Sequence, residues 1–350
     1  MIERFDVPLE MRTEPTAPNN RVYCVIPTYR AAGTIVDVVR EALNHADVII
    51  VVDDACPQHS GELVRREYHE NARVQVIQRE RNGGVGAATK TGIGAALEQD
   101  ADVIVKLDAD GQMDPVFISS IREFFIEDPS LVCVKGNRFF DSSVIRLMPK
   151  TRFIGNAVLS LWVKCASGYW NALDPTNGYL AFSGPLLKML PWRSFADSYF
   201  FEMSVLCELG LKRLPILELE MPPIYTSAPS SLAIPRVIFE FPPQLLRLTI
   251  RRLLVQYFIF DVNLASLYCF FGTILTLFGF SFGVYEWILG QVTGIPRATG
   301  TIMLAAVPFL MGFQLLLNAL MYDVQFSQKT YHELKGDVSR RFAVRKSRRG

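Results

Sequence analysis

Two long apolar runs near the C-terminus constrain this chain more than any other feature. Residues 263–284 and 299–322 hold no charged side chain. Each run is longer than the ~20 residues that a helix needs to cross a hydrocarbon core. A helix buried in a soluble protein rarely lacks a polar face over that length. Residues 261–323 are therefore predicted to form a transmembrane hairpin, with Glu286 and Arg297 near its short connection. Beyond it, residues 325–350 carry eight Lys/Arg against two acids, and Arg247, Arg251 and Arg252 precede the first run. An excess of cations beside the spans favours the cytoplasmic side, so both termini are expected there, with 324–350 as a basic tail. Residues 235–260 mix Val237, Ile238, Phe241, Leu245 and Leu248 with Arg236, Arg247, Arg251 and Arg252. That pattern predicts amphipathic helices lying on the bilayer, although a core helix would share it.

The remaining composition narrows the function. A net charge of +1 excludes a bulk nucleic-acid footprint. The six cysteines show no ligand-type spacing, so reduced, mostly buried thiols are expected rather than zinc or a disulfide framework. Residues 1–20 are polar, acidic and proline-containing, which predicts an N-terminal extension rather than a secretory leader.

Residues 21–234 read as one α/β domain. Short apolar runs at 22–26, 48–52, 74–77, 103–107 and 131–134 alternate with helical patterns at 34–44, 61–69, 86–98 and 115–126. Runs that are apolar on both faces, separated by helices, predict a mainly parallel sheet covered on both sides. Residues 141–234 are less regular and are expected to complete the same domain. Ligands of such sheets sit at the carboxyl ends of the strands, which directs attention to the positions just after residues 26, 52 and 107.

All three strand ends carry polar chemistry. The run 103–107 ends in Asp108-Ala109-Asp110-Gly111-Gln112. Two acids one residue apart can hold one hard cation, Mg²⁺ or Mn²⁺, against a diphosphate. Alone, such a pair is often only a solvated turn. The run 48–52 ends in Asp53-Asp54, placed to bond a ribose or a base, or to cap the next helix. Pro27-Thr28-Tyr29 at the end of the first run can wall a nucleobase pocket. Residues 82–92, with Gly86 and Lys90, suggest a phosphate loop, but Thr89 stands where the P-loop needs glycine. A glycine-rich helix start can still approach a diphosphate, or simply pack tightly on the sheet.

In this order the pieces resemble the inverting glycosyltransferases of the dolichyl-phosphate mannose synthase type. They are PTY at 27–29, VVDDA at 51–55, NGGVGAATKTG at 82–92, DADGQMDP at 108–115 and GNRF at 136–139. DPTNGY at 174–179, YFFE at 199–202 and SSL at 230–232 come after them. The resemblance implies a GT-A fold and transfer of a sugar from a UDP- or GDP-linked donor to a polyisoprenyl phosphate at the cytoplasmic membrane face. It implies Asp108, Asp110 and Gln112 as the metal and diphosphate group, and Pro27, Thr28, Tyr29, Asp53 and Asp54 as the nucleoside pocket. Gly86, Lys90 and Ala109 also fall on the donor side. Arg138 is implied for the acceptor phosphate, with Arg152 as a second arginine, and Asp174 and Asn177 for a loop near the sugar. The likeness is compatible with a homo-oligomer.

The chain also departs from the family, which often has an acid at the position of Ala31, a lysine at that of Val85 and an arginine near 225–227. Two other readings stay open at this level. One is transfer to a lipid hydroxyl, with Asp174 or Glu202 as base. The other is an inactive nucleotide-sugar-binding membrane scaffold.

Overall fold

The computed structural model describes residues 20–138, 150–221 and 234–348, without the side chains of 150–153, 234–238 and 326–348. Most of the N-terminal extension, Phe139, SSL at 230–232 and the side chain of Arg152 lie outside the described residues, as do the tail's side chains beyond 325.

The chain opens as β1 (Val22–Thr28), α1 (Ile35–Ala42), β2 (Val48–Asp53), α2 (Ser60–Glu67), β3 (Val74–Gln78), α3 (Val85–Glu98), β4 (Val103–Lys106) and α4 (Phe117–Glu127). The four strands pair in parallel in the order β3-β2-β1-β4. Strand alternation explains why β1 and β2 are apolar along most of their length. Tyr23, Val25, Val48, Ile50 and Val52 face one core with Ala88 and Ile93 of α3. Val22, Cys24, Ile26, Ile49 and Val51 face the other, with Ile35 of α1 and Ile118 and Ile121 of α4. A strand buried on both faces has no position left for an alternating polar residue.

The last of the apolar runs forms β5 (Cys133–Asn137). The region read as less regular contributes α5 (Lys150–Ser167), β6 (Leu180–Ser183), α6 (Gly184–Lys188), α7 (Phe201–Leu211) and β7 (Ile216–Glu220). The fully parallel pattern ends here, because β6 lies antiparallel between β4 and β5, while β7 pairs in parallel with β5. This is a mixed Rossmann-like GT-A sheet.

Three helices complete the chain: α8 (Ile234–Leu254), α9 (Leu264–Thr293) and α10 (Thr299–Arg348). Leu264–Thr293 and Thr299–Gln325 are long and apolar enough to cross a membrane, and both are largely bare of protein neighbours. They pack on each other through Gly279, where an added Cβ would come within 2.5 Å of the Phe309 nitrogen. Leu246, Ile250 and Leu254 form an exposed stripe on α8 at four-residue spacing. Arg252 does not lie on that surface. It is buried, and its Nη1 and Nη2 each donate to Asp323 of α10 at 2.8 Å. Trp170 Nε1 donates to the same carboxylate at 2.7 Å, and the Tyr257 hydroxyl also binds it. A carboxylate near the end of the apolar stretch Thr299–Gln325 needs such partners to leave water, and it drew Arg252 inward.

Candidate active site

The chain passes from β1 to β2 and β3 on one side and returns to β4 on the other, so the crevice of the parallel half lies between the tips of β1 and β4. Thr28 ends β1 and is buried, and its Oγ1 has no hydrogen-bond partner. Tyr29, just beyond, is exposed and carries the Arg30 guanidinium 5.3 Å from its ring centre. Pro27 lies in register with Val52 within the sheet.

Asp108 comes just after β4. One of its oxygens meets Lys106 Nζ at 2.6 Å, and the same ammonium reaches Glu202 of α7 at 2.8 Å. Lys106 is a fully buried lysine at the end of an apolar strand. Burial alone would push its proton off, but Asp108 and Glu202 more than offset this and hold it charged. Asp110 accepts the Gln112 backbone N–H at 3.0 Å. Burial first, then the nearby Asp108 charge, pushes the Asp110 carboxyl above its ordinary range. Added positive charge would relieve that crowding. Among the described residues, no three His, Cys, Asp or Glu side chains form a metal cage. The pair fits a hard cation that takes its other ligands from phosphate and water, as Mg²⁺ commonly does.

The antiparallel β6 explains how a third segment arrives. Lys106 of β4 and Lys135 of β5 both stand opposite Leu180, so 174–179 enters β6 at the tips of its two neighbours. Neighbouring strands lie ~4.8 Å apart, which puts the β4 and β5 tips about 10 Å from each other. Gly178 fills the gap between them. An added Cβ there would meet Lys106 Nζ at 2.8 Å and Asp108 Oδ2 at 2.9 Å.

At the β5 tip, Arg138 grips Asp174 with two prongs, Nε to Oδ2 at 2.8 Å and Nη2 to Oδ1 at 3.2 Å. Asp174 is fully buried, whereas the Arg138 side chain is 37% exposed. Burial pushes the Asp174 carboxyl up, but the Arg138 charge and hydrogen bonds outweigh it and hold the group below its ordinary range. Lys135 is buried beneath the loop and donates to the Asn177 carbonyl, with burial pushing its ammonium down.

A carboxyl held low stabilises the fold above its unfolded value, near ~4, and loses that contribution as pH falls through the lower folded value. The stability difference between wild type and Asp174→Asn is therefore expected to shrink below about pH 4. Urea unfolding at stepped pH measures it, and an unchanging difference would contradict the assignment.

Several residues expected at the donor serve the chain itself. Both Asp53 oxygens are committed, Oδ1 to Cys56 N–H at 2.7 Å and Oδ2 to Gly61 N–H at 2.7 Å. Asp54 accepts Gly84 N–H at 2.8 Å and Gly83 N–H at 3.0 Å, and it pairs with Arg79. These carboxylates brace the turn after β2 and the start of α3. Gly86 packs where a Cβ would collide with the Ala196 carbonyl, so this helix start lies close against a loop. Lys90 donates to the Phe195 carbonyl at 2.7 Å and pairs with Asp197 at 2.7 Å, binding the same loop. Ala109 accepts the Thr34 hydroxyl at 2.6 Å beside the acidic pair. Arg152 lies in the first turn of α5 by its backbone. Sequence reasoning missed Lys106 and Lys135. The detectable signal was a lysine inside each apolar strand, where nothing but a buried acid or carbonyl would keep it.

The sequence matches the profile described as Glycosyl transferase family 2 over residues 23–176. A UDP-N-acetylglucosamine--dolichyl-phosphate N-acetylglucosaminyltransferase of Methanococcus voltae is 33% identical over 218 residues, 59% of this chain and 86% of the relative. An undecaprenyl-phosphate mannosyltransferase of Micrococcus luteus is 30% identical over 49% of this chain and 69% of the relative. The structure of glucosyl-3-phosphoglycerate synthase from Mycobacterium tuberculosis, with Mn²⁺, UDP and phosphoglyceric acid, superposes with a TM-score of 0.46 at 21% identity, covering 70% of this chain and 81% of that one. With that identity to the Methanococcus relative over most of its length, and strand-tip acids in a GT-A sheet, this chain belongs to glycosyl transferase family 2.

Proposed function

We propose that the protein transfers a sugar from a UDP- or GDP-linked donor to the phosphate of a polyisoprenyl phosphate at the cytoplasmic face of a membrane. The observation that carries this reading is the commitment of both candidate bases to cations. Glu202 is paired with buried Lys106, and Asp174 with Arg138. A lipid hydroxyl would need a base to take its proton, whereas a phosphate is already ionised at neutral pH and needs only orientation. The names of the Methanococcus and Micrococcus relatives agree with a lipid-phosphate acceptor.

In this reading the nucleoside lies over Thr28 and Tyr29, and the buried Thr28 hydroxyl gains the partner it lacks. Asp53 and Asp54 hold the pocket's shape. Asp108, Asp110 and Gln112 receive the diphosphate side. The chemistry supplied there by Mg²⁺ or Mn²⁺ is neutralisation of charge on the leaving nucleotide. Lys106 fixes Asp108 from below. Arg138, oriented by Asp174, holds the acceptor phosphate for in-line attack on the anomeric carbon, which inverts its configuration. The spacing of about 10 Å between the β4 and β5 tips suits a sugar between the two ends.

Purified protein given a panel of nucleotide-sugars and a short polyprenyl phosphate should release nucleoside diphosphate and form an acid-labile glycosyl phosphate. Turnover with a glycerolipid acceptor instead would overturn the reading. For topology, the basic tail is expected inside with the catalytic domain. Protease added outside intact cells should spare the C-terminus, and removal of the tail under those conditions would reverse the orientation.

A further inference from the structure

Two lysines lie buried at matching positions under the crevice. Lys106 of β4 and Lys135 of β5 both stand opposite Leu180, and both are closed to solvent. Cross-strand partners project to one face of a sheet, so the two ammonium groups share a side with Leu180 between them. Each supports the loop that enters β6. Lys135 donates to the Asn177 carbonyl, and Lys106 Nζ lies where a Cβ on Gly178 would come within 2.8 Å. That loop is held at its start by Glu218 of β7, which accepts the Leu173 N–H at 3.0 Å. It also carries Asp174, the partner that orients Arg138. Burying an ammonium is costly, so two of them under one loop are not neutral packing choices.

The charges around the pair form one connected group. Lys106 is shared between Asp108 at 2.6 Å and Glu202 at 2.8 Å. Asp174, Glu202 and Glu218 all lie near enough for their charges to act on the Lys135 ammonium. Glu202 therefore faces both lysines, one by contact and one through space. That sharing gives the cluster two arrangements. In one, Asp108 and Glu202 divide the Lys106 ammonium. In the other, a divalent cation on Asp108 repels that ammonium, and Glu202 is its remaining acid partner. A Glu202 more fully engaged by Lys106 attracts Lys135 less, which leaves Lys135 to Asn177 and Asp174. Coupling between two sites requires such an element, with two arrangements favoured by different states of ligation.

We propose that Lys135 is a positioning residue that couples the two ends of the site, so that a cation and diphosphate at Asp108 firm residues 174–179 and tighten acceptor binding at Arg138. The proposal rests on the reading of Asp108 as a cation ligand and of Arg138 as the acceptor's residue, and it adds the order of events. The path runs from Asp108 through Lys106, Glu202 and Lys135 to the loop, and the sheet itself does not move. Lys135 acts on the acceptor only through Asp174 and Arg138. Coupling of this kind is reciprocal, so the acceptor raises donor affinity by the same factor. An Arg138 that grips fully only once the donor is seated keeps a lipid phosphate from occupying the site ahead of the sugar. A plain brace under the loop is the competing role, and it would hold the loop equally with and without the donor.

The test uses the full chain in detergent micelles with Mn²⁺ and either UDP or GDP, whichever binds. In wild type, the nucleotide with Mn²⁺ should slow amide hydrogen exchange in 174–179 by at least about fivefold, and tighten calorimetric binding of a short polyprenyl phosphate by a similar factor. Lys135→Met fills the same space without charge. It should still bind the nucleotide but lose both responses. Lys135→Gln keeps an N–H for the Asn177 carbonyl and should lose them too, because it carries no charge for Glu202 to act on. It also carries the test if the Met variant does not fold. Wild-type responses in Lys135→Gln would make the residue a plain brace and overturn the proposal. So would a wild-type loop indifferent to the nucleotide, or one slowed equally in EDTA. If polyprenyl phosphate neither binds nor turns over, the lipid-phosphate reading fails, while the exchange response still decides the coupling.

Discussion

Asp110→Asn is expected to slow sugar transfer by at least ~100-fold, the scale of losing one strong electrostatic stabiliser. The amide keeps the shape and can still accept the Gln112 N–H, so the change removes charge and little else. With Asp108 Oδ1 already engaged by Lys106, Asp110 supplies much of the charge left for a cation. The effect on stability should have the opposite sign. A carboxyl pushed above its ordinary range by burial and by Asp108 costs folding free energy once pH rises past that value. Asn at this position should therefore be as stable as wild type, or slightly more so, at neutral pH without metal. Steady-state turnover with titrated Mg²⁺ or Mn²⁺, together with thermal unfolding, measures both. Full wild-type activity in EDTA would remove the divalent cation from the mechanism.

Arg138→Ala should lower kcat/KM for polyprenyl phosphate by about 100-fold, since charge-assisted two-pronged bonds to a phosphate contribute roughly 1.5–3 kcal/mol apiece. Donor affinity measured by calorimetry should scarcely change, because the proposed nucleotide site is at the β1 and β4 tips. The variant should also lose about 2–3 kcal/mol of stability, as buried Asp174 is left without its countercharge. That is less than the ~3–5 kcal/mol of a fully buried pair, because Arg138 is 37% exposed and water screens it. Adding Asp174→Asn separates the two effects. The double variant should recover stability and remain defective toward the acceptor. Lysine at 138 should rescue only in part, because it keeps the charge without the planar fork. Wild-type acceptor kinetics in Arg138→Ala would leave the residue a purely structural partner of Asp174.

The sequence by itself determined the parts whose signal is local. Apolar patterning marked β1 to β4 and α1 to α4, because β1, β2 and β4 are buried on both faces and the helices pack one face on the sheet. The two apolar C-terminal helices were legible from an absence of charge over a length that could cross a membrane. Asp108 and Asp110 were legible because they interrupt an apolar run where parallel sheets bind ligands. Tertiary structure decided everything that depends on which side chain meets which. It joined Asp53 to backbone N–H groups just after β2 and Asp54 to those at the start of α3, beyond β3. It joined Arg138 to Asp174 and Lys106 to Glu202 across long separations in sequence, and it drew Arg252 away from the exposed face of α8 onto Asp323. None of these pairings has a period, so no local pattern announces them. Strand β6 is too short to read as a strand, yet its antiparallel insertion brings 174–179 to the tips of β4 and β5. The acids were written in the sequence, but the distance between the β4 and β5 tips was set by the sheet that holds them.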